Sequence, residues 1–423
     1  METVKKFESG VGVLTAGRDR HYSLGLASAL VATGIKFDFI ASDELESGQL
    51  RQSSLVNFRN LRGDQSTHAG LLKKMSRVLI YYFRLITYAM TSRAKVFHIL
   101  WNNKFEFFDR TLLMVFYKLL GKKIAFTAHN INAGKRDGYD SALNRATLRF
   151  QYRLCDRIFV HTNKMKGELI SDFGVLNDKI VLIPFGINNA VPTTALTGTE
   201  ARQKLGLHSD QKVILFFGNI APYKGLEFLV EVFQTISKED PALRLVIAGR
   251  PKGPKNYWEE IRQTILRSHL GGRVLEKIEY ISDDQIEIYF KAADILVMPY
   301  VSIFQSGILF LSYSFGLPVI VTDVGSLRED VVEGKTGFVC EPQNPPALQL
   351  AIQNYFQSDL YRELSSRRRE IQDFAKARCS WDEVGAITVA TYSELLRKEK
   401  RSDPVFKKAK NNEALSFDSH SSL

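Results

Sequence analysis

The stretch Ile295–Glu341 limits the possible folds more than any other part of the chain. A short apolar run, Ile295 to Met298, stops at Pro299. A polar turn with Gln305, Ser306 and Gly307 follows. Ile308 to Phe315 is mostly apolar and reads as a buried helix. Gly316 and Pro318 end it, and Val319 to Val321 is the next strand. Strand, small-residue turn, helix and strand make a βαβ unit. Backbone N–H groups at the turn, those of Ser306 and Gly307 among them, then sit at the positive end of a helix and suit a diphosphate. An ordinary buried βαβ unit whose loop needs small residues explains the same stretch.

The pattern recurs in both halves of the chain. Val11–Ala16 is a strand, Gly17–His21 a polar loop, Tyr22–Thr33 a helix and Phe37–Ala41 a strand. Strands Val96–Leu100, Lys123–Thr127, Arg157–His161 and Ile180–Ile183 follow, with helices between them, including Arg110–Leu120 and Met165–Phe173. Asn188–Thr199 breaks the pattern and reads as a linker. A second series begins at Val213–Phe217 and continues through Leu243–Ala248 and Val274–Tyr280. Helices Leu348–Phe356 and Leu360–Ala377 come next, with Arg367, Arg368 and Arg369 as a solvated face. The expected fold is α/β, with two Rossmann-like domains whose parallel sheets face a central cleft. The domains are expected at 1–190 and 200–378. A last helix is expected over about 380–398, and 399–423 is a disordered polar tail.

Composition narrows the class. Charged residues are 24% of the chain, and the net charge of +11 favours anionic partners. The three cysteines are far apart in sequence and suggest neither disulfides nor a metal cluster. The N-terminal residues lack a signal-peptide core, and no apolar run reaches the roughly 18–20 residues that span a bilayer. A cytoplasmic protein is expected. Leu71–Arg93 holds five cations, no acid and an aromatic cluster, so it suits an anionic membrane face as well as a packed helix with snorkelling cations. No recognition-helix or aromatic-sheet motif supports nucleic-acid binding.

Two residues add chemistry. Lys224 lies between a strand and a helix start, where an anion is favoured. It belongs to the same domain as the Ser306-Gly307 turn and to the same strand ends. His129 follows the strand Lys123–Thr127 at the edge where parallel sheets bind ligands. A structural histidine is the other reading.

With these residues in place, the chain resembles the GT-B glycosyltransferases of family 4, also called glycosyl transferases group 1, up to about Lys398. The resemblance rests on Gly218 with Lys224-Gly225, Gly316-Leu-Pro318 and Thr322-Asp-Val-Gly325 through Glu329, Gly334 and Gly337. Thr127-Ala-His129, Ile183-Pro-Phe-Gly186 and Ser380-Trp381 support it. It implies a retaining, metal-independent, hexosyltransferase-like enzyme of the kind used in polysaccharide biosynthesis. It also implies that the helix over about 380–398 returns to the first domain. No cofactor is implied; a nucleotide sugar is the co-substrate, and a glycan, lipid-linked or small molecule is the acceptor. His129 and Lys224 would be catalytic. Gly218, Asn219, Gln305, Ser306, Gly307 and Ile308 would bind the donor, with Gln305 touching the sugar. Gly17, Arg18, His21 and Asn130 would face the acceptor. Two departures stand out. Ile303 and Leu311 occupy the positions of the family's paired glutamates, and Asn219 that of its arginine. A non-catalytic GT-B protein that binds a nucleotide sugar or a partner is therefore the alternative. An enzyme of the same fold that makes or breaks nucleotide sugars is a further one.

Overall fold

The computed structural model describes residues 10–17, 19–65, 70–187, 191–254 and 256–402. Seven parallel strands form the first sheet: β1 Val11–Leu14, β2 Phe37–Ala41, β3 Val56–Asn60, β4 Val96–Ile99, β5 Lys123–Thr127, β6 Arg157–Val160 and β7 Ile180–Leu182. Their order is β3-β2-β1-β4-β5-β6-β7. Six parallel strands form the second: β8 Lys212–Phe217, β9 Leu243–Ala248, β10 Val274–Lys277, β11 Ile295–Met298, β12 Val319–Thr322 and β13 Gly337–Cys340. Their order is β10-β9-β8-β11-β12-β13. Strand order reverses between β1 and β4 and between β8 and β11. Ligands of such sheets bind at this crevice, beyond the carboxyl ends of the strands.

Helices cover both faces of each sheet, so the central strands are buried throughout and read as continuous apolar runs. One apolar core fills the second half, and two fill the first, on its two faces. The edge strand β3, VNFRN, is only half-buried. It carries no apolar run, and the pattern of the sequence passes over it.

The linker is pinned to the second half. The Thr194 backbone N–H and hydroxyl donate to the Glu287 carboxylate (2.6 and 2.9 Å), and Lys291 Nζ donates to the carbonyls of Thr194 and Leu196. The chain crosses back at Cys379, whose carbonyl accepts from Ile187 N (3.0 Å). Trp381 Nε1 then donates to the Ile187 carbonyl (2.7 Å). The helix Trp381–Ser402 lies on the helix Arg20–Ala32 of the first half. Its Tyr392 hydroxyl meets His98 Nδ1 (2.6 Å), and Glu394 pairs with Arg157. Residues 403–423, most of the expected disordered tail, lie outside the described residues.

Two local expectations change. Arg368 is not part of a solvated face: its guanidinium donates to the carbonyls of Phe290, Ala293 and Phe315. These carbonyls lie at the C-terminal ends of Asp283–Ala292 and Gly307–Ser314, where a helix leaves acceptors without intrahelical partners. The single helix expected over Leu360–Ala377 is two, Asp359–Arg362 and Leu364–Arg378.

Candidate active site

The cleft between the two halves holds a cavity of about 400 Å³. One wall is built from backbone. After β11 the chain runs through Tyr300 and a turn to Ser306, which opens the helix Gly307–Ser314. The first N–H groups of a helix have no intrahelical acceptor, so those of Gly307 and Ile308 remain available at this end. The loop after β12 holds the turn from behind. Ser326 donates to the Phe304 carbonyl through its backbone N (2.9 Å) and its hydroxyl (2.8 Å). Gly325 has φ +59°, and a Cβ there would come 2.0 Å from the Ile303 carbonyl oxygen. Only glycine allows that approach. A Cβ at Gly307 would meet nothing closer than the Phe185 ring at 3.9 Å. The protein's own packing therefore does not require glycine at 307, and the space there is open.

Lys224 reaches the same cavity from the loop after β8. It is 5% exposed, and its Nζ donates to the Tyr300 hydroxyl (2.6 Å) while lying 4.5 Å from the centre of that ring. The adjoining loop after β9 is joined to it by Ile220 N donating to the Arg250 carbonyl (2.9 Å) and Lys252 N to the Ile220 carbonyl (2.8 Å). Arg250 thus brings a second cation to the same wall, with its guanidinium 5.4 Å from the Tyr280 ring centre.

The opposing wall is aromatic. Tyr22, Phe185 and Trp381 line it. Tyr22 stands edge-on to His129, with ring centres 4.5 Å apart, and Trp101 stacks on His129 at 4.3 Å. His129 itself does not line the cavity; it lies behind Tyr22. Burial pushes its pKa well below the usual value and lowers that of His161 to about 4, so both rings are neutral at pH 7. The hydrogen bonds then assign the protons. The Ile183 carbonyl can only accept, so His161 Nδ1 donates to it (3.3 Å) and His161 Nε2 accepts. His129 Nδ1 donates to that nitrogen (3.2 Å). The lone pair of His129 Nε2 is left buried and without a partner.

His21, Gly218, Asn219, Lys224, Gln305, Ser306, Gly307 and Ile308 come together around this cavity, as do Ile303 and Leu311. Gly17, His129 and Asn130 are not among its walls, and Arg18 lies outside the described residues. Gln305 also faces a second cavity of about 360 Å³, shared with Asp330 and Arg378. Burial raises the Asp330 carboxyl to about 7. Sequence reasoning passed over Tyr22, Arg250, Tyr280, Asp283 and Tyr300. Gly249-Arg250 directly follows a strand of the second series and was the one available signal. Asp283 could not have been found, because it acts across the cleft. It faces Arg20 Nη1 (3.4 Å) and His21 Nε2 (3.5 Å) from the other half.

Among the described residues, no group of three or more histidines, cysteines or carboxylates is placed to hold a metal ion. No helix there is long and apolar enough to cross a membrane.

Comparison with known proteins bears on the family and the fold. The family Glycosyltransferase Family 4 matches residues 21–191, and Glycosyl transferases group 1 matches residues 198–376. A D-inositol 3-phosphate glycosyltransferase of Streptomyces scabiei is 26% identical over 256 residues. The match covers 59% of this chain and 56% of that relative, a little over half its length. The sucrose-phosphate synthase of Thermosynechococcus elongatus superposes with a TM-score of 0.72 at 18% identity, over 92% of this chain and 99% of that one. HepE of Anabaena, in complex with UDP-glucose, superposes with a TM-score of 0.68 at 16% identity, over 91% and 99%.

Proposed function

Because this chain belongs to the GT-B glycosyltransferases of family 4, we propose that it transfers a sugar from a nucleotide-sugar donor with retention and without a metal. The observation that carries the reading is the convergence of Lys224 and the Ser306–Gly307 helix start on one interdomain cavity. When the glycosidic bond breaks, the leaving nucleoside diphosphate gains negative charge. Fixed N–H groups and a lysine stabilise that charge without reorganising. The distal phosphate rests on the amides of Ser306, Gly307 and Ile308, and Lys224 faces the diphosphate. Arg250 supplies positive charge where Asn219 supplies none. Ile303 and Leu311 offer no carboxylate to the ribose, but Glu279 lies on the same wall.

His129 takes a narrower role. It stands behind Tyr22 and does not line the cavity, so it backs that ring, and its buried Nε2 is not offered to the sugar or its phosphate. The acceptor enters from the side of Gly17 and His21 and is a glycan, a lipid-linked sugar or a small molecule.

A membrane face is a further partner in this reading. The helix Leu71–Thr91 buries Tyr81, Leu85 and Tyr88 against the sheet. Its outer face exposes Leu72, Met75, Leu79 and Phe83 at helical spacing beside Lys73 and Lys74. Such a face suits an anionic bilayer surface. Sedimentation with anionic liposomes should show binding that weakens with salt.

A thermal-shift screen against UDP, GDP, ADP and their sugars tests the central reading. A true ligand at about 100 times its dissociation constant stabilises by roughly 2.7 kcal/mol. Transfer from the bound donor should persist in EDTA, and NMR of the product should show the anomeric configuration kept. If none of the three diphosphates binds, the reading fails.

A further inference from the structure

A separate cavity of about 290 Å³ lies in the first half, beyond the carboxyl ends of β3 and β4. Four cations line it: Arg62, Lys74, Arg77 and Lys104. Arg62 and Lys104 come from the loops after the two strands, and Lys74 and Arg77 from the helix Leu71–Thr91. The carboxylate at its rim is Asp64, which pairs with Arg77 (2.6 Å). Asp109 lies beneath it, where Tyr82 (2.9 Å) and Asn103 (3.3 Å) donate to it.

Arg62 is held in place by the fold. Its guanidinium lies 4.4 Å from the centre of the Tyr81 ring, and its Nη2 donates to Asn103 Oδ1 (3.2 Å). Tyr81 donates to the same oxygen (2.7 Å), which fixes the Asn103 amide. The Nε of Arg62 is buried without a partner. Like charges gathered in a concave wall repel one another and concentrate counter-anions. Arg62 also ties this cavity to the cleft. A Cβ on Gly17 would stand 2.8 Å from its Nη1, and Asp19 and His21, two and four residues on, line the interdomain cavity.

We propose that the acceptor is anionic. Its phosphate or carboxylate group sits among Arg62, Lys74, Arg77 and Lys104, and its nucleophilic hydroxyl reaches past Gly17 toward the donor sugar. The inference rests on the glycosyltransferase reading and names the acceptor class for it. A cavity of this size accepts a charged head group, at the small end of ligand pockets.

The test uses the full chain with the donor site saturated by whichever of UDP, GDP or ADP the protein binds, so that added anions cannot occupy the Lys224 site. Calorimetry then measures inorganic phosphate, glycerol 3-phosphate and glucuronate. Sedimentation with phosphatidylglycerol or phosphatidylcholine vesicles measures a lipid-borne phosphate. The variants are Arg62→Gln and Lys74→Gln/Lys104→Gln, with Lys164→Gln as a control, an exposed lysine on the helix Asn163–Phe173, outside the cavity and off the helix Leu71–Thr91. The exposed lysine pair keeps the test valid if Arg62→Gln does not fold. At least one soluble anion should bind, about tenfold more weakly in the cavity variants, with Lys164→Gln at wild-type affinity. If only phosphatidylglycerol vesicles bind, and the cavity variants lose more than the control, the anion is a lipid head group. The proposal is overturned if no anion binds, or if the control loses as much as the cavity variants. Loss of nucleoside-diphosphate binding in the wild type would instead sink the donor reading, so the two failures are separate.

Discussion

The two halves share a sheet plan and present different walls to the cleft. The second half meets it with closely approaching backbone beside the cations Lys224 and Arg250. Gly218 has φ +105°, and a Cβ on Gly249 would come 1.7 Å from the Gly218 carbonyl oxygen. The first half meets it with large side chains: Tyr22, Phe185 and Trp381, with His129 and Trp101 behind. Their outer surfaces differ as well. Among the described residues, all but three of the exposed large apolar side chains lie in the first half; the exceptions are Leu266, Tyr280 and Leu350. Under the proposed function a diphosphate lies on the backbone wall, and peptide groups can hold it only where backbone approaches closely. A wall that selects an acceptor must differ from one acceptor to another, and side chains can vary without changing the fold.

Lys224→Ala should give the largest effect. Loss of one preorganised donor costs on the order of 10²–10³ in rate. Transfer kinetics beside a circular-dichroism spectrum would check it, and near-normal turnover would move the donor chemistry elsewhere in the cleft.

Two glycine substitutions should separate binding from folding within the donor wall. Gly307→Val meets only Phe185, so the protein should stay folded. Its affinity for nucleoside diphosphate should drop about tenfold, and that for the monophosphate much less. Gly325→Ala should instead lower stability by roughly 1–3 kcal/mol, because it forces a side chain into the left-handed region against a carbonyl. Calorimetry and thermal unfolding on the pair would reveal the opposite pattern if the roles were exchanged.

The halves should also respond to pH with opposite sign. His161 titrates at about 4 in the folded chain, below the ordinary 6.5, so the unfolded chain binds its proton first as pH falls. His161 alone therefore costs the first half roughly 3 kcal/mol from about pH 6.5 down to 4; His98 and His129, also lowered by burial, act in the same direction, and Asp109, whose carboxyl burial raises to about 6, partly offsets them. Asp330 titrates at about 7, above the ordinary 3.8, so its contribution falls as pH rises from about 4 to 7. Asp330→Asn should raise the melting temperature at pH 8 more than at pH 5, and His161→Asn should flatten the acid limb. Calorimetric scans at the two pH values decide it; equal shifts at both would remove these groups from the balance.

The smallest effect is expected across the cleft. Asp283→Asn removes half-exposed pairings to Arg20 and His21, each worth at most about 1 kcal/mol. The KM for the acceptor should rise a few-fold with kcat little changed. A drop in kcat alone would mean that Asp283 acts on the reacting sugar.

The sequence by itself determined the two α/β series, the break between them, and the backbone turn at Ser306-Gly307 with Lys224 beside it on one cavity. Alternating apolar strands and helices admit few other arrangements, and glycines at strand ends mark where backbone must approach backbone. Gly218, Lys224, Ser306 and Gly307 were legible because each sits at a fixed offset from a strand or a helix start. Only the tertiary structure decided the rest. Tyr22 faces the cleft because the helix returning from Trp381 sets that end of the first half, and nothing local to Tyr22 records it. Asp283 meets Arg20 and His21 across 263 and 262 residues of chain, and Arg62 meets Asn103 across 41. Strand and turn preferences act over a few neighbours, whereas the aromatic wall is assembled from side chains that become neighbours only when the two sheets have formed.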